Sequence, residues 1–151
     1  NYGPRGSELT HVYGYSSSIK RVFNYGFFSK EAIVFSLPFT INIKEFSLNL
    51  ICKGLDLTDD NIKYKFNDSQ IVIDGIPIAS MNKPSFIKNY FDHLCDVTNL
   101  QNVSEEIFSK IINLNYLRRQ YILGYLKHLD HDVCRMLSKA INYELDSIAQ
   151  V

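Results

Sequence analysis

The 151-residue sequence has no net charge, because sixteen lysines and arginines balance sixteen acids. Without a basic excess there is no field to gather phosphates, so neither electrostatic binding to nucleic acid nor a polybasic hold on a membrane surface is expected. No apolar run approaches the roughly 18 residues that a membrane span requires, and no signal-like segment opens the sequence, so a spanning or exported protein is not expected. Cysteine is scarce: Cys52, Cys95 and Cys134 are odd in number, far apart and without metal-ligand spacing. That excludes a disulfide framework and reads as buried thiols in a reducing compartment, hence an intracellular location, cytoplasmic or nuclear. Repeats and low-complexity tracts are missing. So are a glycine-rich phosphate loop and a Ser, Cys or Lys in a nucleophile motif, which leaves hydrolases and nucleotide enzymes without support.

What is present is a core-forming composition, 46% hydrophobic and 13% aromatic, and, within the stretch from Gly6 to Phe28, two Tyr-Gly pairs, Tyr13-Gly14 and Tyr25-Gly26, twelve positions apart. A glycine directly after an aromatic ring allows a positive φ, so each phenol can be pinned by a tight turn. Leu9 to Tyr13 reads as a short strand, and His11 falls on the same face as Tyr13, where a strand histidine is the simpler reading than a pocket ligand. Ser16-Ser17-Ser18 offers an N-cap to a helical turn through Ile19, Val22 and Phe23, ended by Gly26. Ala32 to Leu37 is a branched and aromatic run of strand length, closed by Pro38.

Further on, Ile43, Phe46, Leu50 and Ile51 recur at helical spacing before Gly54, which predicts a helix. Ile62, Tyr64 and Phe66 alternate with Lys63 and Lys65 as in a half-exposed strand. Turns at Asn67-Asp68 and Asp74-Gly75 around Ile71-Val72-Ile73 predict a small meander. After Pro84, the positions Phe86, Ile87, Tyr90, Phe91, Leu94 and Cys95 share one helix face. Ser104 followed by Glu105 and Glu106 reads as the capped start of a helix through Ile107, Ile111 and Leu117, which Gly124 threatens to interrupt. Asp130 or Asp132 is expected to cap a last helix with its stripe at Val133, Met136, Leu137, Ala140, Ile141, Leu145 and Ile148. His128, Asp130, His131, Asp132 and Cys134 form the one metal-like group, expected to be a solvated helix junction with no metal.

Gly6, Glu8, Leu9, Tyr13, Gly14 and Tyr25-Gly26-Phe27 resemble the end of a SET domain of the rubisco large-subunit methyltransferase type, which closes on Gly-x-Glu-(Ile/Leu)-x-x-x-Tyr-Gly, then Ser-Asn-x-Glu, then Tyr-Gly-Phe. Ser17-Ser18 stands for the family's Ser-Asn, and Lys20 stands where an acid is usual. The resemblance implies an α+β chain in two parts: residues 1–40 as the closing strands of a β-rich SET domain, and residues 41–151 as a mostly helical C-terminal domain that holds the protein substrate. An Arg-rich helix pattern in that domain resembles Leu117-Arg118-Arg119-Gln120.

The implied activity is methyl transfer from S-adenosylmethionine to a side-chain nitrogen, usually the lysine of a protein substrate. A lysine with an ordinary pKa of about 10.4 must lose its proton before attack, which a nearby sulfonium charge and a dry channel favour. Carried over residue by residue, Tyr13 would direct its hydroxyl at the reacting nitrogen and methyl group, Tyr25 would form a second wall of the lysine channel, and Phe27 would pack against the cofactor. The family's cofactor-binding core and Asn-His motif have no counterpart before Gly6. The sequence is therefore expected to be the tail of a longer enzyme or a non-catalytic relic. An alternative of another class is a helical protein-interaction module whose Tyr-Gly pairs are structural.

Overall fold

A computed structural model describes residues 17–30, 32–54 and 62–151. The expected strand at Leu9 to Tyr13, with His11, lies outside them. The described residues form a mixed α+β fold with four α-helices and two small sheets. Helix α1 is Ser18–Tyr25, α2 Pro84–Val97, α3 Ser104–Leu126 and α4 Asp132–Ala149. The strands are β1 Val34–Phe35, β2 Phe39–Ile43, β3 Leu48–Cys52, β4 Tyr64–Asn67, β5 Gln70–Ile73 and β6 Pro77–Ala79.

The helix expected around Ile43 to Gly54 is instead the β2–β3 hairpin. Its apolar residues fit a helical period, but they also alternate, with Phe39, Ile43, Leu48, Leu50 and Cys52 on the buried face. Alternation prevails because burial in the core shared with the helices rewards one face of a sheet. Lys44–Phe46 forms a 3₁₀ turn that ends at Ser47 with φ +49°. The expected meander is also corrected. β4 and β5 do form a hairpin, but the turn at Asp74-Gly75 leads β6 away to pair with β1, and β5 lies parallel to β3. The four-stranded order is β2-β3-β5-β4. Only Val34–Phe35 of the run from Ala32 to Leu37 is strand, with Ser36 N–H donating to Ile76 O at 2.8 Å beyond it.

One core lies between the buried sheet face and the helices, joining Leu50, Ile71 and Ile73 to Phe91 and Leu94 of α2, Ile111 of α3 and Ile148 of α4. A second joins Ile19 and Val22 of α1 to Leu137, Ala140 and Ile141 of α4. α2 begins at Pro84 as the sequence predicts, since proline's missing N–H costs nothing in a first turn. α3 runs unbroken for 23 residues through Gly124, an exposed position with room for a side chain. Its start differs from expectation: Ser104 is already helical, and a 3₁₀ turn at Gln101–Val103 feeds the helix without a side-chain cap. α4 is capped by His131, whose Nδ1 accepts from Val133 N–H at 3.2 Å, and not by Asp130 or Asp132. Those two carboxylates hold Arg135.

Candidate functional site

The Tyr-Gly-Phe segment begins with a helix made as its sequence requires. Ser17, extended at φ −69° and ψ 157°, accepts Lys20 N–H at 3.0 Å. Eight residues after Ser17, Tyr25 closes α1, and Gly26 turns the chain at φ +69°, its N–H returning to Val22 O at 3.0 Å. This left-handed cap is what glycine supplies after a helix. It sends Phe27 back beside Tyr25, with ring centroids 6.1 Å apart. Tyr25 is 52% exposed and Phe27 is half-buried. Phe28 then anchors the segment edge-on against Tyr143 of α4 at 5.7 Å, and Ser18 Oγ donates to Ser29 O at 3.0 Å. Tyr25 and Phe27, singled out from sequence, are thus brought together. Tyr13 lies outside the described residues.

Under α1 sits a polar cluster that sequence reasoning missed. Arg119, part of the Arg-rich pattern Leu117-Arg118-Arg119-Gln120, is fully buried. Its Nε donates to Glu144 Oε2 at 2.8 Å, Nη2 to Phe35 O at 2.7 Å, and Nη1 to Asn115 Oδ1 at 2.6 Å. Asn115 Oδ1 also accepts Leu37 N–H at 2.8 Å, while Nδ2 donates to Ser36 Oγ and Ile111 O. The other oxygen of Glu144 accepts Ile19 N–H at 3.4 Å, and Ser18 N–H also points to this carboxylate, both in the first turn of α1. Burial pushes the Glu144 carboxyl up from its ordinary pKa, opposed by the Arg119 guanidinium and those amides. Among the described residues no buried side-chain polar atom lacks a partner. Arg118, by contrast, is exposed and donates to Pro38 O.

A signal for the buried pair was present. Arg119 falls on the α3 face that carries Ile111, Asn115 and Ile122, and Glu144 on the α4 face of Leu137, Ile141 and Ile148. A charge on the apolar stripe of each of two packed helices calls for a partner.

Two open depressions flank this region. One, of about 1010 Å³, lies between Phe28, Lys30 and the α4 residues Lys139, Tyr143 and Asp146. The other, of about 620 Å³, has an apolar floor of Ile87, Phe91 and Phe108, and the two share Met81 and Gln150 at their rims. Among the described residues no cluster of His, Cys, Asp or Glu is arranged to hold a metal ion, and no helix is long and apolar enough to cross a membrane. Cys52 and Cys95 are buried free thiols, and Cys134 is half-buried. No family model, curated protein or solved structure matches the chain.

Proposed function

We propose that the chain is part of an S-adenosylmethionine-dependent protein-lysine N-methyltransferase, with residues 1–40 closing a SET-type catalytic domain and the helices that follow holding the protein substrate. The observation that supports this reading is the conformation of Tyr25-Gly26-Phe27: a capped helix delivers a phenol to its end, and a left-handed glycine folds the next ring back beside it. In this role Tyr25 is an aromatic wall of the lysine channel, where a ring face favours the cationic methylammonium product. Tyr13 aligns the lysine nitrogen through its hydroxyl, and alignment is the main contribution a methyl-transfer site makes.

Phe27 suits the cofactor at one point, as a half-buried apolar ring against which an adenine can pack. The polar partners for the ribose and methionine groups are not supplied by Tyr25-Gly26-Phe27. When bound, S-adenosylmethionine supplies the electrophilic methyl group. The test is methylation by the full-length polypeptide carrying Tyr13→Phe or Tyr25→Phe. Loss of transfer with Tyr13→Phe is expected, and unchanged transfer would remove that residue from its role.

A second reading, a protein-interaction module without catalysis, is favoured by α3. Leu117, Tyr121 and Tyr125, each four residues from the next, are all exposed on one face of a helix whose other face is already packed on α4. Apolar groups on both sides of a helix suit one that is covered on both sides. The two readings separate on S-adenosylmethionine binding, which only the enzyme requires.

A further inference from the structure

We infer that Arg119 and Glu144 are positioning residues for Tyr25, acting through α1; the inference rests on the reading of Tyr25 given above. α1 is a short helix of 8 residues, and helices of that length do not hold themselves together in water. Its place is set by contacts at its two ends and along one side. The side packs Ile19 and Val22 on α4, a contact that resists separation but tolerates sliding and rotation, because apolar packing is not directional. The C-terminal end carries Tyr25 and Gly26.

At the N-terminal end, Glu144 accepts from the Ile19 amide with the Ser18 amide beside it, and Arg119 fixes the other side of the same carboxylate. Hydrogen bonds to a carboxylate are directional and favoured by the positive end of the helix dipole. Arg119 is itself held by Phe35 O and Asn115, and Asn115 holds Ser36 and Leu37. One rigid cluster therefore references the start of α1 to α3, α4 and the strand β1 together. A tilt of α1 about this end would displace Tyr25 more than any other residue of the helix, because Tyr25 is its last residue. A buried ion pair is often no more stabilising than apolar residues of the same size, so geometry is the stronger reason for its presence.

The experiment is hydrogen exchange, read segment by segment by mass spectrometry, on the full chain and on R119M/E144L. That double substitution leaves no unpaired buried charge and removes the acceptor for α1. Amides of residues 19–26 are expected to exchange at least about tenfold faster, while those of the α4 core around Ile141 and Leu145 change little. E144Q, which keeps one acceptor oxygen, should fall between. Equal acceleration in both helices, or none in α1, would overturn the inference, for R119M/E144L and E144Q alike.

The same proteins are then assayed for methyl transfer. A fall in kcat with little change in KM for S-adenosylmethionine is expected, because misplacing Tyr25 affects alignment more than cofactor binding. A parent chain that transfers no methyl group contradicts the enzyme reading, while the exchange pattern still decides whether the pair positions α1.

Discussion

The guanidinium of Arg119 on α3 and the carboxylate of Glu144 on α4 meet at 2.8 Å with neither side chain reaching the surface. R119M alone leaves Glu144 buried without its cation and should lower stability by about 3–5 kcal/mol, whereas R119M/E144L should recover most of that loss. Guanidinium unfolding of the two variants checks it. The sign with pH also follows. Burial raises the Glu144 pKa in the folded state, and without Arg119 nothing of comparable size opposes that rise. A raised carboxyl pKa contributes stability below the unfolded value and loses it as pH rises. R119M should therefore be less impaired near pH 4.5 than near pH 7.5.

Gly26 has open space where a Cβ would stand but a φ of +69°. G26A should therefore cost about 1–2 kcal/mol from backbone conformation alone, with G26N costing less. Gly124 has the same open space within a regular helix, so G124A should stabilise by about 0.5–1 kcal/mol. Thermal melting of the three variants separates the two glycines.

Alkaline conditions should weaken the fold before they charge its thiols. Burial pushes Cys52 and Cys95 from 9.0 up to about 11, and it pushes Tyr90, whose hydroxyl donates to Gly75 O, well above the ordinary phenol range. Between about pH 9 and 11 the unfolded chain loses these thiol protons while the folded chain keeps them, so stability falls as pH rises through that window. The loss is of order 1–3 kcal/mol per thiol. Melting temperatures at pH 8, 9.5 and 11 measure it, and C52A/C95A should flatten the profile.

His131 caps α4 through Nδ1. H131A should cost about 0.5–2 kcal/mol, and H131S should restore most of it, because a serine oxygen accepts the same amide. Unfolding of the two variants by urea tests this.

Much of the helical fold is legible in local chemistry. Ser17 and Gly26 bound α1 as capping rules require, Pro84 opens α2, and Glu105 and Glu106 mark the start of α3. The hairpin at 39–52 is hidden in the sequence because Ile43, Phe46, Leu50 and Ile51 fit a helical period, whereas its buried face is Phe39, Ile43, Leu48, Leu50 and Cys52, selected by burial in the core shared with the helices, which is not a local property. The parallel pairing of β3 with β5 and the joining of β1 to β6 are likewise set across the chain. The juxtaposition of Tyr25 and Phe27 follows from the glycine cap of the Tyr-Gly-Phe pattern, whereas the burial of Arg119 depends on which of Arg118 and Arg119 falls on the apolar stripe of α3.

The measurement that bears most directly on the proposed activity is transfer of a tritiated methyl group from S-adenosylmethionine to protein by the full-length polypeptide, alongside its Tyr13→Phe variant. Expected is label on lysine side chains of a protein substrate, falling by about a hundredfold or more when the Tyr13 hydroxyl is removed, on the scale that loss of transition-state alignment produces. No label above background, together with no binding of S-adenosylmethionine, would contradict the methyltransferase reading and leave the interaction module in its place.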